Sequence, residues 1–198
     1  MTIQSSFDFS SSKFHQRQQL RQFIRQQRAA LTLQQQKFAE QKIAQIAVDF
    51  LTPLKVKNIA VYLSFDGEIS TNQLIETLWR QGYHLYLPVL HPFSEGNLLF
   101  LAYTPTTKLI KNKFNILEPK LDVRQVLPAE QLDIIFTPLV AFDLKKNRLG
   151  MGGGFYDRTL GNWQNKPFLP IGLAHRCQQV EHIPTEDWDM PLFEILAV

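Results

Sequence analysis

Apolar and polar residues alternate along the chain in segments of two kinds. Helical spacing, with apolar residues three and four positions apart, begins at residue 13 and recurs over 33–51 and 70–79, and Thr52-Pro53 ends the second segment. Short runs rich in β-branched and aromatic residues are typical of strands, and they cover 57–63, 84–89, 98–103, 133–138, 168–173 and 194–198. The stretch 114–119 is predicted to be a connecting loop.

This order of helices and strands predicts the fold class. Strands that alternate with helices, without internal repeats, favour an α/β domain of three layers, α/β/α, around a mostly parallel, Rossmann-like sheet. With 198 residues, 44% of them apolar, the chain is long enough for one such domain and its core. We expect residues 13–198 to form this domain, preceded by a polar, serine-rich, disordered tail over 1–12.

Composition removes several classes of protein. The single cysteine, Cys177, excludes an internal disulfide, and we interpret it as a buried or incidental thiol. No Cys and His residues have the spacing of a zinc site, and no apolar run approaches the length of a membrane span. The N-terminus does not resemble a secretory signal, so we expect a cytoplasmic protein without a membrane partner. The net charge of +3 suits anionic small molecules and nucleic acid alike.

The glycine-rich stretch 147–157 is the main candidate for chemistry. It holds four of the nine glycines, so its backbone can turn sharply and approach a ligand closely. A glycine-rich loop that opens into a helix directs several N–H groups at one point, which favours a bound phosphate. Arg148 adds positive charge, and Asp157 adds a carboxylate that could hold a divalent cation. A plain turn is the alternative, since the stretch has neither a P-loop nor the dinucleotide fingerprint.

Arginines recur along the first predicted helix. Arg17, Arg21, Arg25 and Arg28 follow each other at spacings of four, four and three, which places their guanidinium groups on one stripe. Leucine and isoleucine residues form an apolar stripe beside it, so the helix can pack through these while its arginines face a cleft or solvent. A solvated basic face without a ligand is the alternative.

The segment after the first predicted strand holds another candidate. In open α/β sheets ligands bind at the C-terminal ends of the strands, and Glu68 lies in the turn that follows this strand. Glu68 is therefore a candidate for contact with a substrate, with a helix-capping or plain surface acid as the alternative. A further acidic cluster, 186–189, lies between the last two predicted strands.

Two runs of sequence identify a family. Residues 136–143 (FTPLVAFD) and 147–158 (NRLGMGGGFYDR) closely resemble the signature of the 5-formyltetrahydrofolate cyclo-ligase family, also called methenyltetrahydrofolate synthetases. In that family a stretch of the form R-L-G-x-G-x-G-[YF]-Y-D follows a buried strand and a proline. The likeness covers nearly the whole chain from about Arg17, with a basic opening helix, a strand that ends in an acidic turn, and a C-terminal W-D-x-P-L segment.

The resemblance implies a fold and a reaction. The fold is that of the NagB/RpiA/CoA-transferase-like proteins. The reaction is the ATP- and Mg²⁺-dependent conversion of 5-formyltetrahydrofolate to 5,10-methenyltetrahydrofolate, with release of ADP and phosphate. In the mechanism proposed for the family, the formyl oxygen accepts the γ-phosphoryl group, N10 attacks the activated carbon and phosphate leaves. Such chemistry asks a protein chiefly for positioning and charge neutralisation.

The resemblance also implies roles for individual residues. Arg17 and Arg21 would contact the phosphates of ATP, and Glu68 would bind the donor edge of the pterin. Asp157 and Asp189 would hold Mg²⁺. The catalytic residues would be Arg148, Tyr156 and Asp157. The other expected contacts are Leu63 and Phe155 for the folate and, for ATP, Arg148, Leu149, Gly150, Met151, Gly152, Gly153, Gly154, Phe155 and Tyr156, with Tyr156 on the nucleotide side.

Three positions depart from the family pattern. Asn147 stands where relatives often have glycine, which is tolerable because asparagine accepts a positive φ more readily than most residues. Gly153 stands where some relatives have lysine, so Arg148 would carry more of the charge that faces the phosphates. Phe193 stands where many relatives have aspartate, which makes Asp189 the weaker of the two metal assignments.

Other classes of function compete with this enzyme. A nucleic-acid-binding module would use the arginine stripe, but the stripe is short and the rest of the chain is nearly balanced in charge. A sugar-phosphate or acyl-transfer protein on a similar sheet would leave Asp157 and Asp189 without a purpose. An inactive relative with the same fold is a further alternative. We expect folate and ATP as partners, no nucleic acid, and a monomer, because no heptad pattern is present.

Overall fold

The computed structural model describes residues 12–198, so the predicted tail over 1–12 lies, apart from Ser12, outside the described residues. Helices form at Lys13–Ala29 (α1), Leu33–Leu51 (α2), Asn72–Arg80 (α3) and Phe155–Leu160 (α4). Strands form at Asn58–Ala60 (β1), His84–Leu90 (β2), Leu98–Tyr103 (β3), Leu109–Lys111 (β4), Leu117–Pro119 (β5), Val126–Leu127 (β6), Ile134–Thr137 (β7), Ala141–Phe142 (β8), Arg148–Leu149 (β9), Leu169–Ala174 (β10) and Glu194–Ala197 (β11).

Seven strands form a central sheet in the order β11-β10-β7-β1-β2-β3-β6. The first five pair in parallel, and β3 and β6 are added antiparallel at one edge. β1 lies in the middle, with Ile59 opposite Leu85 of β2 and Ile134 of β7. The carboxylate of Asp133 fixes this register by accepting a hydrogen bond from the amide of Asn58 at 2.8 Å. The mostly parallel sheet predicted from the sequence is confirmed.

Alternate residues of the central strands face two different cores. Ile59 and Ile134 contact the apolar faces of α2 and α3, whereas Ala60 and Ile135 face a second core, which includes Leu160 of α4. α1 packs on a third cluster, formed with β8 and β9. Both faces of the sheet are therefore covered, as the α/β/α prediction requires, although one short helix and several loops cover the second face. The likeness to NagB/RpiA/CoA-transferase-like proteins and the single domain over 13–198 stay predictions.

The sequence pattern located the long elements better than the short ones. α2 has the predicted bounds, because a capping box between Thr32 and Gln35 begins it and Thr52-Pro53 follows it. β1 is shorter than the predicted 57–63, since the chain leaves the sheet towards the turn that carries Glu68. The predicted loop is wrong in part, because β4 and β5 form a separate hairpin. Strands of three residues are too short to show a clear alternation. Across 12–198, no helix has the length and apolar character that a membrane span requires.

A fully buried arginine fixes the turn after β1. The guanidinium of Arg28, near the end of α1, donates to the backbone oxygen and to the carboxylate of Asp66, both at 2.8 Å. The backbone is left-handed at Asp66 and Gly67, with φ of 52° and 71°, which produces the tight turn before Glu68. Arg25 reaches the same carboxylate from the surface at 2.7 Å. The last two arginines of the stripe therefore hold this turn in place.

We expect these two arginines to differ in their contribution to stability. Arg28→Met leaves oxygen atoms of the Asp66 turn without their donor, and the free energy of unfolding should fall by about 2–4 kcal/mol. Arg25→Met removes an ion pair whose arginine side chain is 48% exposed, and it should cost less than about 1 kcal/mol. Urea denaturation of the two variants measures the difference. Equal losses would contradict the role assigned to Arg28.

Candidate functional site

Two cavities share the glycine-rich loop 150–154. One is largely apolar, has a volume of about 390 Å³ and is lined by residues at the C-terminal ends of β1 and β2. The other, of about 970 Å³, runs along α1 and is lined by Arg17, Arg21 and Arg25. We call them the apolar cavity and the arginine cavity. The residues common to both are Gly150, Met151, Gly152, Gly154 and Asp157.

A tight hairpin presents this loop. β8 and β9 are joined by 143–147, and the buried carboxylate of Asp143 organises the connection. It accepts hydrogen bonds from the amides of Lys145 (2.9 Å) and Asn147 (3.1 Å) and from the side chain of Asn147 (2.9 Å). The left-handed residue of the turn is Lys146, with φ of 64°, so the tolerance of asparagine for a positive φ is not used at Asn147. Asn147 supports the turn through its side-chain amide instead.

The loop needs glycine at defined positions. Gly152 and Gly154 have φ of 102° and 69°, which residues with a side chain rarely adopt. A Cβ atom on Gly153 would lie 2.8 Å from the ring of Phe155. Within 12–198, the amides of Met151, Gly152 and Gly153 donate to no other group of the chain, so they can bind an anion. α4 follows directly but has six residues, so its dipole adds little to this site.

Two arginines beside the loop are each paired with an acid. Arg148, 5% exposed, donates a hydrogen bond to the carboxylate of Asp157. Arg17, 8% exposed, binds Asp189 through both terminal nitrogens, one of them at 3.1 Å, and donates to a backbone oxygen at 2.8 Å. Buried charges of this kind persist because each has an opposite partner. Since Arg17 and Arg28 are both buried, the alternative of a solvated basic face is wrong.

Arg21 lies between these pairs without an acid bonded to it among the described residues. Its Nε donates to the backbone oxygen of Gly150 at 2.8 Å, which holds the guanidinium against the loop. Burial lowers the pKa of Arg21, the charge of Arg17 lowers it further, and Asp189 and Asp157 oppose both effects. The neighbouring guanidinium of Arg17 adds to the positive charge around Arg21. An anion bound between the loop and α1 would compensate it.

Glu68 is a buried acid in the wall of the apolar cavity. It is 9% exposed, and its carboxylate accepts a hydrogen bond from the amide of Phe65 at 3.2 Å. Burial raises the pKa of Glu68 to about 7, and the Phe65 amide and the charge of Arg28 only partly oppose that effect. Glu68 does not cap α3, whose N-cap is Thr71, and it is not a surface acid. Most of its hydrogen-bonding capacity is left for a ligand.

Two tyrosines accompany Glu68 in the apolar cavity. Burial, followed by the negative charge of Glu68, raises the pKa of the hydroxyls of Tyr62 and Tyr156. The Tyr62 hydroxyl is buried and has no hydrogen-bond partner in the described chain. The guanidinium carbon of Arg148 lies 5.7 Å from the centre of the Tyr156 ring. Both hydroxyls therefore stay protonated near neutral pH.

The residues predicted for the site divide between the two cavities. Leu63, Glu68 and Phe155 line the apolar cavity, where folate contacts were expected. Of the expected ATP contacts, the arginine cavity has Arg17, Arg21, Gly150, Met151, Gly152 and Gly154. The apolar cavity alone has Arg148, Gly153, Phe155 and Tyr156.

Two of the predicted ATP contacts lie in places that the sequence did not indicate. Tyr156 is on the Glu68 side of the loop rather than on the arginine side, because the first turn of α4 directs its ring into the apolar cavity. Leu149 lines neither cavity. It is fully buried in the core that β9 forms with α1, where its strand position turns the side chain away from the loop.

The acids near the loop suit a cation that arrives with its own oxygen ligands. No three His, Cys, Asp or Glu side chains of the described chain lie close enough to form a metal site alone. The side chain of Asp157 is 21% exposed, whereas that of Asp189 is 4% exposed and also accepts the amide of Glu186 at 2.9 Å. Mg²⁺ commonly takes one or two carboxylates and completes its shell with phosphate oxygens and water. Asp157 fits this pattern, and Asp189 fits it once Arg17 releases it.

Several residues of the cavity walls were not identified from the sequence. Tyr62 belongs to an apolar run and has no pattern that distinguishes it from core. Phe114, from the β4–β5 hairpin, meets the ring of Phe155 edge to face at 6.0 Å. Such contacts join segments far apart in the sequence, so no local signal marks them. Phe193, where relatives often have aspartate, packs against Trp163 with ring centres 6.1 Å apart.

Comparisons with known proteins show the family of the chain. A model of the 5-formyltetrahydrofolate cyclo-ligase family matches residues 13–198. The 5-formyltetrahydrofolate cyclo-ligase of Haemophilus influenzae is 62% identical over 181 residues, which cover 91% of this chain and 97% of that protein. The Escherichia coli K12 protein of the same name is 57% identical over 169 residues, 85% of this chain and 93% of its own.

A solved structure extends the comparison to the fold. The NMR structure of 5,10-methenyltetrahydrofolate synthetase from Aquifex aeolicus superposes with a TM-score of 0.77 at 26% identity, over 91% of this chain and 89% of that one. A family model over nearly the whole described chain, close relatives and a shared fold lead to the same conclusion: the chain belongs to the 5-formyltetrahydrofolate cyclo-ligase family.

Proposed function

We propose that the chain closes 5-formyltetrahydrofolate to 5,10-methenyltetrahydrofolate with consumption of ATP and release of ADP and phosphate. The observation that carries the proposal is the shared loop 150–154, which borders both an apolar cavity with a buried acid and a cavity lined by arginines. The reaction requires the formyl oxygen of the folate beside the γ-phosphate of ATP. Two cavities that meet at one loop can provide that proximity.

Glu68 binds the pterin in this proposal. The amino group and the neighbouring ring N–H of a pterin form a pair of donors, and the two oxygens of one carboxylate can accept from both. Leu63 and Phe155 supply apolar walls for the flat ring. Two charge-assisted hydrogen bonds favour the ionised form of Glu68, so binding of folate lowers the pKa that burial has raised to about 7.

The arginine cavity binds the triphosphate. Arg21 and the amides of the loop supply donors that the described chain leaves without an anionic partner. Arg17 and Arg148 add two guanidinium groups when phosphate oxygens replace Asp189 and Asp157 as their acceptors. Phosphoryl transfer spreads negative charge over the equatorial oxygens, and donors on both sides of the loop stabilise that charge.

Asp157 is the main residue that would hold Mg²⁺, with Asp189 as the second. Bound there, the ion would neutralise charge on the phosphate oxygens. Each of these acids is paired with an arginine in the structure. When the arginines turn to the phosphates, the acids are left for the cation, so every buried charge keeps an opposite partner.

The remaining work of the chain is to position the reactants. The formyl oxygen attacks the γ-phosphorus while the bond to the ADP oxygen breaks. N10 then attacks the formyl carbon and loses its proton, and phosphate leaves with the former formyl oxygen. Arg148, beside the Tyr156 ring in the apolar cavity, is placed to neutralise the phosphorylated formyl group. The rings of Phe114 and Phe155 limit access of water from the hairpin side.

Cytoplasmic location and a monomeric state also belong to this proposal. A nucleic-acid-binding role has less support than the enzyme, because Arg17 and Arg28 are buried and Arg25 is paired with Asp66. These arginines cannot form the exposed basic face that phosphate-backbone binding requires.

The direct test of the reaction uses near-ultraviolet absorbance, because methenyltetrahydrofolate absorbs there and 5-formyltetrahydrofolate does not. We expect the product band to grow when the purified chain, 5-formyltetrahydrofolate and Mg²⁺ receive ATP, and to stay flat without ATP. If the product band does not grow with ATP present, but calorimetry shows that ATP binds, the nucleotide site is supported and the folate assignment is rejected.

Asp157→Asn should lower kcat at least about 100-fold, because the variant loses the main carboxylate for the cation and with it the neutralisation of phosphate charge. Asp122→Asn is a matched control, since Asp122 forms an ion pair with Arg124 at 2.7 Å and lines neither cavity. The control should keep wild-type kcat. A thermal melt checks that both variants are folded, and wild-type turnover in folded Asp157→Asn would reject the metal assignment.

Folate binding should depend on pH through Glu68. The ionised carboxylate binds the pterin, so the Kd for 5-formyltetrahydrofolate should rise about tenfold for each pH unit below about 7 and be constant above it. Glu68→Gln should weaken binding on the order of 10- to 100-fold above pH 7 and remove this pH dependence. Calorimetry from pH 5.5 to about 8.5 measures both effects, with the exposed acid variant Glu76→Gln as control. A Kd that does not change with pH would contradict the role of Glu68.

A further inference from the structure

Two large aromatic side chains that line the arginine cavity are exposed. Phe14, in the first turn of α1, is 66% exposed, and Trp188, next to Asp189, is 65% exposed, and both line the cavity. A single exposed aromatic residue is common on protein surfaces. Two that line one cavity offer apolar surface that a flat ligand can cover.

α1 gives the arginine cavity a direction. Phe14, Arg17 and Arg21 follow at spacings of three and four, so they lie on one face of the helix. At a rise of 1.5 Å per residue, Phe14 lies about 10 Å along the axis from Arg21. Arg21 contacts the glycine loop, and beyond it the ion pair of Arg25 and Asp66 occupies the other end. A ligand with its anionic part at Arg21 therefore meets charge in one direction and aromatic rings in the other.

We propose that Phe14 and Trp188 form the subsite for the purine base of the nucleotide, with their rings stacked on its face. The inference rests on the proposed function, since it takes the terminal phosphate to lie at the loop. The other phosphates then lie along Arg21 and Arg17, and the base projects towards the N-terminus of α1. Trp188 lies close to the proposed phosphate site, because the next residue, Asp189, forms the ion pair with Arg17.

Stacking determines which ligands this subsite accepts. Every base has a π face, so two aromatic rings supply affinity with little selectivity among purines. They supply nothing to a bare polyphosphate, which has no ring. The contribution of the subsite is therefore the difference in affinity between ATP and inorganic tripolyphosphate.

Calorimetry with the full chain measures this difference. Mg²⁺ is present throughout, and the titrants are ATP and inorganic tripolyphosphate. Trp188→Ala and Phe14→Ala should each raise the Kd for ATP on the order of tenfold and leave the Kd for tripolyphosphate unchanged. Trp188→Phe keeps a ring and should restore most of the affinity for ATP. Phe93→Ala is the matched control, because Phe93 is 93% exposed and lines neither cavity, and it should change neither affinity.

Tryptophan emission gives an independent measurement. Trp188 is exposed, whereas the ring nitrogens of Trp79 and Trp163 donate hydrogen bonds to backbone oxygens at 2.9 and 2.8 Å. ATP should quench the emission of the wild type, tripolyphosphate should not, and Trp188→Phe should abolish the effect of ATP.

The outcomes separate this inference from the proposed function. ATP affinity that is unchanged in both alanine variants, while the wild type turns over folate, would overturn the base subsite alone. An equal loss of affinity for ATP and tripolyphosphate would also overturn the base subsite, because the side chains of Phe14 and Trp188 would then act on the phosphate site. A wild type that binds neither titrant would overturn the proposed function and the subsite together.

Discussion

The pairing of buried guanidinium groups with acids is the constraint on which this structure depends. An arginine without solvent is tolerated only where opposite charge and acceptors surround it. Arg28 meets that condition through Asp66, Arg17 through Asp189 and Arg148 through Asp157. These pairs join α1, the turn after β1, the glycine loop and the C-terminal acidic segment, which are far apart in the sequence. These contacts determine the positions of the loops around the two cavities.

The same electrostatics distinguish residues whose charges are satisfied within the chain from residues that our proposal assigns to ligands. Arg28 has its acceptors and shapes the turn. Arg21 has a backbone acceptor and a pKa lowered chiefly by burial, and Glu68 has one amide donor and a pKa raised by burial to about 7. In our proposal, a bound anion offsets the positive charge of Arg21, and a ring with several N–H donors stabilises the carboxylate of Glu68. The glycine loop lies between them, so both ligands in our proposal are drawn to the same wall from opposite sides.

The sequence predicted the fold through its long elements, and its motifs located most of the residues that line the two cavities. Helical periodicity located α1 and α2, and the buried run at β7 and the glycine stretch placed the loop beside the sheet. It could not assign Arg28 to the interior, because the spacing of arginines on one stripe does not say which of them meet solvent. The side of the loop on which Tyr156 lies, and the burial of Leu149, depend on how α4 and β9 pack. The β4–β5 hairpin is stabilised by local turns and contacts that leave no periodic signal.

A crystal structure of the chain with 5-formyltetrahydrofolate, Mg²⁺ and a non-hydrolysable ATP analogue tests the central claim most directly. We predict the pterin on Glu68 in the apolar cavity and the terminal phosphate at the loop 150–154, with Arg17 and Arg148 turned from their acids to phosphate oxygens. Folate and nucleotide on the same side of the loop, or a triphosphate away from Arg21 with both ion pairs intact, would contradict it.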